Sequence, residues 1–352
     1  AAQDDPRITV WLWSKYSEAF DFRAYDTVSH KYSYGGIDNH PEGIANTNEI
    51  TVKLFDRMPG KRQIFDFALD VQADALLVAD PETYQRTKVF GTYWCPPDPK
   101  YQIPAYERAL LVFIDFYINE VEQRRWYGFW DYGDVMHTYD PVRHCWRYDV
   151  GGYAWQNTEL CPTYVNWLAF LRTGDYRIYR FARAMARHTS EVDIYHSGKY
   201  AMLGTRHNVR HWGCGAKEPR ISMAGHHRFF YYLTGDERIG DVMDFVKDAD
   251  FASLVRDPMR NYFEHRPGFA HIRTGPDWSS FVSNWMTRWE RFNDTTYRDK
   301  ILAGLDSIKK APNRLASGST FLYSPEDNVM RYLGEGNYQY HMVICFGGPE
   351  IW

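Results

Sequence analysis

Leu171-Arg172-Thr173-Gly174-Asp175-Tyr176-Arg177-Ile178 and Tyr232-Leu233-Thr234-Gly235-Asp236-Glu237-Arg238-Ile239 are two copies of one signal, 61 residues apart (235 minus 174). In each, a glycine supplies the left-handed residue that stops a helix, and the aspartate after it caps the start of the next. So tight a turn makes the two helices antiparallel neighbours. A degenerate third copy, Arg291-Phe292-Asn293-Asp294-Thr295-Thr296-Tyr297, follows about one period later, with Asn in place of Gly. Two-helix units repeating at this period predict a solenoid or a closed helical toroid. The long segments returning from one unit to the next are aromatic and rich in His and Arg, which favours a toroid with a functional mouth.

Working outward, the helical period is clear from Tyr106 and runs to Arg124-Arg125. Phe65, Leu69, Ala73 and Leu76 recur at helical spacing and predict a helix there as well. Before them the chain reads as β. Ile8-Thr9-Val10-Trp11-Leu12-Trp13 is β-branched and aromatic, and Ile50-Thr51-Val52-Lys53-Leu54-Phe55 alternates. Two strands are no stable module alone, so this region is expected to be the end of a larger β-domain with sequence upstream. The expected organisation is a β-rich segment over residues 1–60 and a mainly α, α/α toroid catalytic domain (a helical-hairpin barrel) over 61–352. The final Gly347-Gly348-Pro349-Glu350-Ile351-Trp352 reads as internal, so truncation of the toroid is expected there.

A chain of 352 residues buries roughly 75% of its unfolded surface and needs no disulfide or metal staple. The five cysteines form no CxxC pair, and their odd number leaves at least one thiol unpaired within the chain. A formal charge of −4 gives no basic field for nucleic acid, and no apolar run approaches a membrane span. Aromatic residues make up 17% of the chain. Rings with an apolar face and a polar tip suit sugar faces and hydroxyls, although a large helical core also consumes them.

Three return segments could carry chemistry. Tyr127-Gly128-Phe129-Trp130-Asp131-Tyr132-Gly133-Asp134, running on to Tyr139-Asp140, displays rings and carboxylates between glycines; a structural turn over a buried Trp would read the same. Tyr148-Asp149-Val150-Gly151-Gly152-Tyr153-Ala154-Trp155-Gln156-Asn157-Thr158-Glu159 reads as a close-approach loop or as a polar-capped helix start. The densest segment holds Arg206, His207, Arg210, His211, Trp212, Arg220, His226 and His227. His207 and His211 have the spacing of a metal pair, but the zincin glutamate is absent and Arg210 lies between them. The neighbouring arginines favour an anion such as a uronate carboxylate, which the planar guanidinium grips at two points. No metal or cofactor is assigned, and no calcium-loop motif supports Ca²⁺.

At these residues the chain resembles the exo-rhamnogalacturonan lyases, polysaccharide lyase family 26. The likeness lies in Gly133-Asp134, in Trp155-Gln156-Asn157-Thr158-Glu159, in the His-rich loop, and in Gly225-His226-His227 leading into Tyr231-Tyr232-Leu233-Thr234-Gly235-Asp236. It covers roughly residues 100–245, and the strand region more loosely. The spacing between Asp134 and Trp155 is longer than the family pattern. The resemblance implies a β-domain, an α/α toroid and a further β-domain, with residues 1–60 as the remnant of a β-sandwich. It also implies a secreted or periplasmic, pectin-directed enzyme with an oligo- or polysaccharide substrate.

A lyase needs a partner for the uronate carboxylate, a base for the C5 proton and an acid for the leaving oxygen. Arg206, Arg210 and Arg220 are candidate carboxylate partners, supported by Asn157. His207 and His211 are candidate bases, Tyr153 and Tyr139 candidate acids, and Trp130, Trp155 and Trp212 candidate platforms. The resemblance adds Asp134, Glu159 and His226 on the substrate side. Three rivals stand beside this reading. A glycoside hydrolase on the same toroid would use Asp131, Asp134 and Glu159. A non-catalytic glycan-binding protein would keep the rings without needing His207 or His211, and a helical-repeat scaffold would need no Arg-His cluster.

Overall fold

The computed structural model describes residues 8–18, 41–73, 75–148, 154–158, 161–206, 216–317 and 319–334. Ten α-helices occur among them: α1 (Lys61–Gln72), α2 (Pro81–Thr87), α3 (Pro104–Arg124), α4 (Pro162–Thr173), α5 (Tyr176–Glu191), α6 (Gly225–Thr234), α7 (Glu237–Phe245), α8 (Ala249–Val255), α9 (Ser279–Phe292) and α10 (Thr295–Lys310). Pro104 and Pro162 open their helices where a missing N–H costs nothing.

The three sequence repeats are three helical hairpins, α4–α5, α6–α7 and α9–α10. Gly174, Gly235 and Asn293 all take left-handed φ, at 65°, 68° and 52°. The aspartates behind them accept backbone N–H groups: Asp175 from Arg177 at 2.7 Å, Asp236 from Ile239 at 3.0 Å and Asp294 from Thr296 at 3.3 Å. In the two exact copies a threonine completes the turn. Thr173 and Thr234 donate to the carbonyls of Ala169 and Phe230, and each accepts the N–H of the capping aspartate at 3.2 Å.

The hairpins stack in sequence order, α4 against α6 and α6 against α9. Between the first two lies an aromatic core of Trp167, Phe170, Tyr179, Phe229 and Phe230, with Trp167 stacked on Phe230 at 5.9 Å. A second core forms between α9, α10 and an antiparallel sheet of β3 (Ala270–Arg273), β4 (Thr320–Tyr323) and β5 (Met330–Tyr332). A two-residue ladder pairs β1 (Tyr139–Asp140) with β2 (Cys145–Trp146). Seven of the 13 tryptophans are buried among the described residues. Much of the aromatic surplus therefore serves packing, each buried ring contributing about 1.5–3 kcal/mol.

Residues 8–13 and 50–55 form no ladder among the described residues, and Ile8, Val52 and Leu54 are strongly exposed. β-Propensity becomes a strand only against a neighbour, and no described segment pairs with either stretch. The helix predicted through Leu76 ends at Gln72.

Candidate active site

The Gly-Asp and Asn-Asp turns close one end of the hairpins, so the long return segments gather at the other. They are joined there by backbone hydrogen bonds. Gln156 donates to Val135 and His137 to Ala154, both at 2.8 Å; Thr205 donates to Asp193 at 2.9 Å; Gly204 and Glu218 exchange bonds of 3.0 and 2.9 Å. The Thr158 hydroxyl donates to the Ile221 carbonyl at 3.3 Å. Loops so tied form a rigid platform and bury polar side chains without leaving their backbones unsatisfied.

One part of the platform is acidic. Gly133, at φ 100°, lies so close to α5 that a Cβ would sit 2.2 Å from the Ala184 carbonyl oxygen. That approach delivers Asp134 to His188 on the buried face of α5. The Asp134 carboxylate accepts the N–H of Val135 at 2.7 Å and that of Asn157 at 3.0 and 2.9 Å. His188 donates from Nδ1 to the Tyr132 carbonyl at 3.2 Å. Its Nε2 faces Asp134 Oδ2 at 3.7 Å and Asp193 Oδ2 at 3.5 Å. All three side chains are fully buried, and their ligand atoms lie within 4.8 Å of one another.

A second part is basic. Arg206, Lys217, Arg220 and Arg273 are all buried. Lys217 donates to the Thr205 hydroxyl at 2.8 Å and lies 5.3 Å from the centre of the Tyr195 ring. Arg220 pairs with Glu218, which stands 3.5 Å from Arg273. Arg273 in turn grips Asp277 at 2.7 and 2.9 Å across a buried π-helical turn, Thr274–Trp278, that leads into α9.

His226 and His227 open α6 between these parts and are fully buried. Burial holds both imidazoles down at a pKa of about 3, because a dry interior penalises the charged ring. The His226 Nδ1 and the Thr163 hydroxyl share a hydrogen bond of 3.0 Å.

Of the residues singled out from sequence, Asp134, Asn157, Arg206, Arg220 and His226 are gathered at this platform. Trp155 packs into a core with Trp126, Trp146 and Met185. Tyr139 is exposed on the β1–β2 ladder, its ring 5.3 Å from Trp146. Trp130 lies at the edge of Phe129, 4.8 Å away. Tyr153, Glu159, His207, Arg210, His211 and Trp212 lie outside the described residues. Sequence reading missed His188, Asp193, Lys217, Glu218 and Arg273. A signal for His188 existed: it stands three residues after Met185 on the apolar stripe of α5 that includes Ile178 and Ala182.

A cleft of about 960 Å³ lies between residues 46–49, the 127–132 loop and α5, and His188 forms part of its wall. Arg180, Arg183 and Arg187 share one face of α5 along it, with Arg187 held by Glu49 at 3.1 Å and Asp236 at 2.5 Å.

Residues 74–352 match the family model of the PcRGLX-like protein C-terminal alpha/alpha toroid domain, and residues 1–69 that of the PcRGLX-like protein central beta sandwich domain. These descriptions set the sandwich centrally and the toroid at the C-terminal side. The uncharacterized protein YetA of Bacillus subtilis (strain 168) is 51% identical over 353 residues, 99% of this chain. The chain spans 41% of that relative's length. No helix among the described residues is long and apolar enough to cross a membrane. With helical hairpins in the toroid region and a platform of buried charge at their open end, the chain belongs to the PcRGLX-like, exo-rhamnogalacturonan lyase-like family.

Proposed function

We propose that this chain carries the catalytic toroid of a secreted or periplasmic polysaccharide lyase that cleaves a uronic-acid-containing, rhamnogalacturonan-like glycan by β-elimination. The observation that carries the reading is the buried cationic group of Arg206, Lys217, Arg220 and Arg273 on the return-segment platform. Arginine at this platform offers a substrate carboxylate two-point, charge-assisted contacts.

In the reaction a base removes the C5 proton of the uronate. The electrons of that bond form the C4=C5 double bond, and the C4–O bond breaks. The leaving oxygen takes a proton from an acid. Negative charge accumulates on the carboxylate in the transition state, where fixed cations have their largest effect. Arg206 and Arg220 take the carboxylate in this scheme. His207 or His211, next to Arg206 in the chain, is the base, and Tyr153 the acid.

The test is near-ultraviolet absorbance while the protein is incubated with rhamnogalacturonan and other uronate glycans. A rise marks the unsaturated product, and His207→Ala or His211→Ala is expected to slow it about 100-fold or more. New reducing ends without absorbance would overturn elimination in favour of hydrolysis.

A further inference from the structure

We infer that Asp134, His188 and Asp193 form a binding site for one divalent transition-metal ion of the Zn²⁺ or Mn²⁺ kind. The inference stands on the geometry of the three side chains and is independent of the lyase reading. The His188 Nε2 lies 3.5 Å from Asp193 Oδ2 and 3.7 Å from Asp134 Oδ2. These separations exceed ordinary hydrogen bonds. They match the edges of a coordination polyhedron, in which ligand atoms about 2.0–2.2 Å from one ion stand roughly 3–4 Å apart.

The surroundings have the features that hold metal ligands in place. The remaining ring nitrogen of His188 donates to a backbone carbonyl, that of Tyr132, which fixes the tautomer with a lone pair on Nε2. Asp134 is oriented by the N–H groups of Val135 and Asn157. His227, fully buried and with no hydrogen-bond partner for either ring nitrogen among the described residues, lies outside the three-residue group. One imidazole with two carboxylates suits Zn²⁺ or Mn²⁺ better than Ca²⁺, which takes six to eight oxygens. Three protein ligands leave positions open for water or a further donor.

Purified protein, stripped with chelator and dialysed against Zn²⁺ or Mn²⁺, is expected to retain one equivalent by elemental analysis and to melt at a higher temperature than the stripped form. Asp193→Asn and His188→Gln are expected to lose the ion and the shift. Because a buried variant can misfold, the unaltered protein is also titrated with Co²⁺: a visible d–d band saturating at one equivalent and abolished by chelator supports the site. No band and no retained metal in the unaltered protein would overturn it. So would full metal retention by a folded Asp193→Asn protein.

Discussion

The backbone N–H of Asn157 points at both carboxylate oxygens of Asp134, at 3.0 and 2.9 Å, across 23 residues of chain. Asn157 holds a left-handed φ of 55° to do so, a conformation that asparagine tolerates better than most residues. Asp134→Ala strands this buried N–H and that of Val135. A loss of about 2–6 kcal/mol is expected by urea denaturation, since each of the two orphaned donors costs about 1–3 kcal/mol. Asp134→Asn keeps an amide oxygen and should lose markedly less. Equal losses for the two variants would show that the contact does not organise the platform.

Two glycines with positive φ separate backbone strain from crowding. Gly235 has open space where a Cβ would go, so Gly235→Ala meets only the left-handed penalty, about 1–2 kcal/mol. Gly133 has both the conformation and a Cβ position 2.2 Å from the Ala184 carbonyl oxygen. Gly133→Ala should therefore be the costlier change by 2 kcal/mol or so, measured as a difference in unfolding midpoint. Similar losses would mean that the 133–134 loop moves off α5 without cost.

The buried His226 gives stability a pH dependence of definite sign. Its folded pKa is about 3, with burial the main cause and the neighbouring His227 the lesser; the unfolded ring takes its proton near 6.5. Between those values the unfolded chain holds more protons. Stability is complete above about pH 6.5 and falls on acidification, by about 1.4 kcal/mol per pH unit for this residue. Denaturant midpoints collected from pH 7 to pH 4 should show that slope, and His226→Gln should lower it by about one proton's worth. An unchanged slope in the variant would place the acid sensitivity elsewhere.

The sequence by itself determined the helical hairpins. Gly174-Asp175, Gly235-Asp236 and Asn293-Asp294 act through the geometry of a few adjacent residues, so the stop of one helix and the cap of the next are readable without a neighbour. The long α3 was equally legible from its apolar period. Residues 8–13 and 50–55 carried strand propensity but form no described ladder, because a strand exists only through its partner.

The site divides the same way. Arginine and histidine on the return segments marked the platform in sequence, and Asp134, Asn157, Arg206, Arg220 and His226 meet there. Only the tertiary structure decided that Asp134 joins His188 and Asp193, which are 54 and 59 residues further along (188 and 193 minus 134). It likewise set Glu218 between Arg220 and Arg273, and gave Trp155 to a core rather than to an open surface. No local spacing encodes these meetings. They follow from the stacking of whole hairpins and from the need of buried charge to find opposite charge, a condition satisfied between segments distant in sequence.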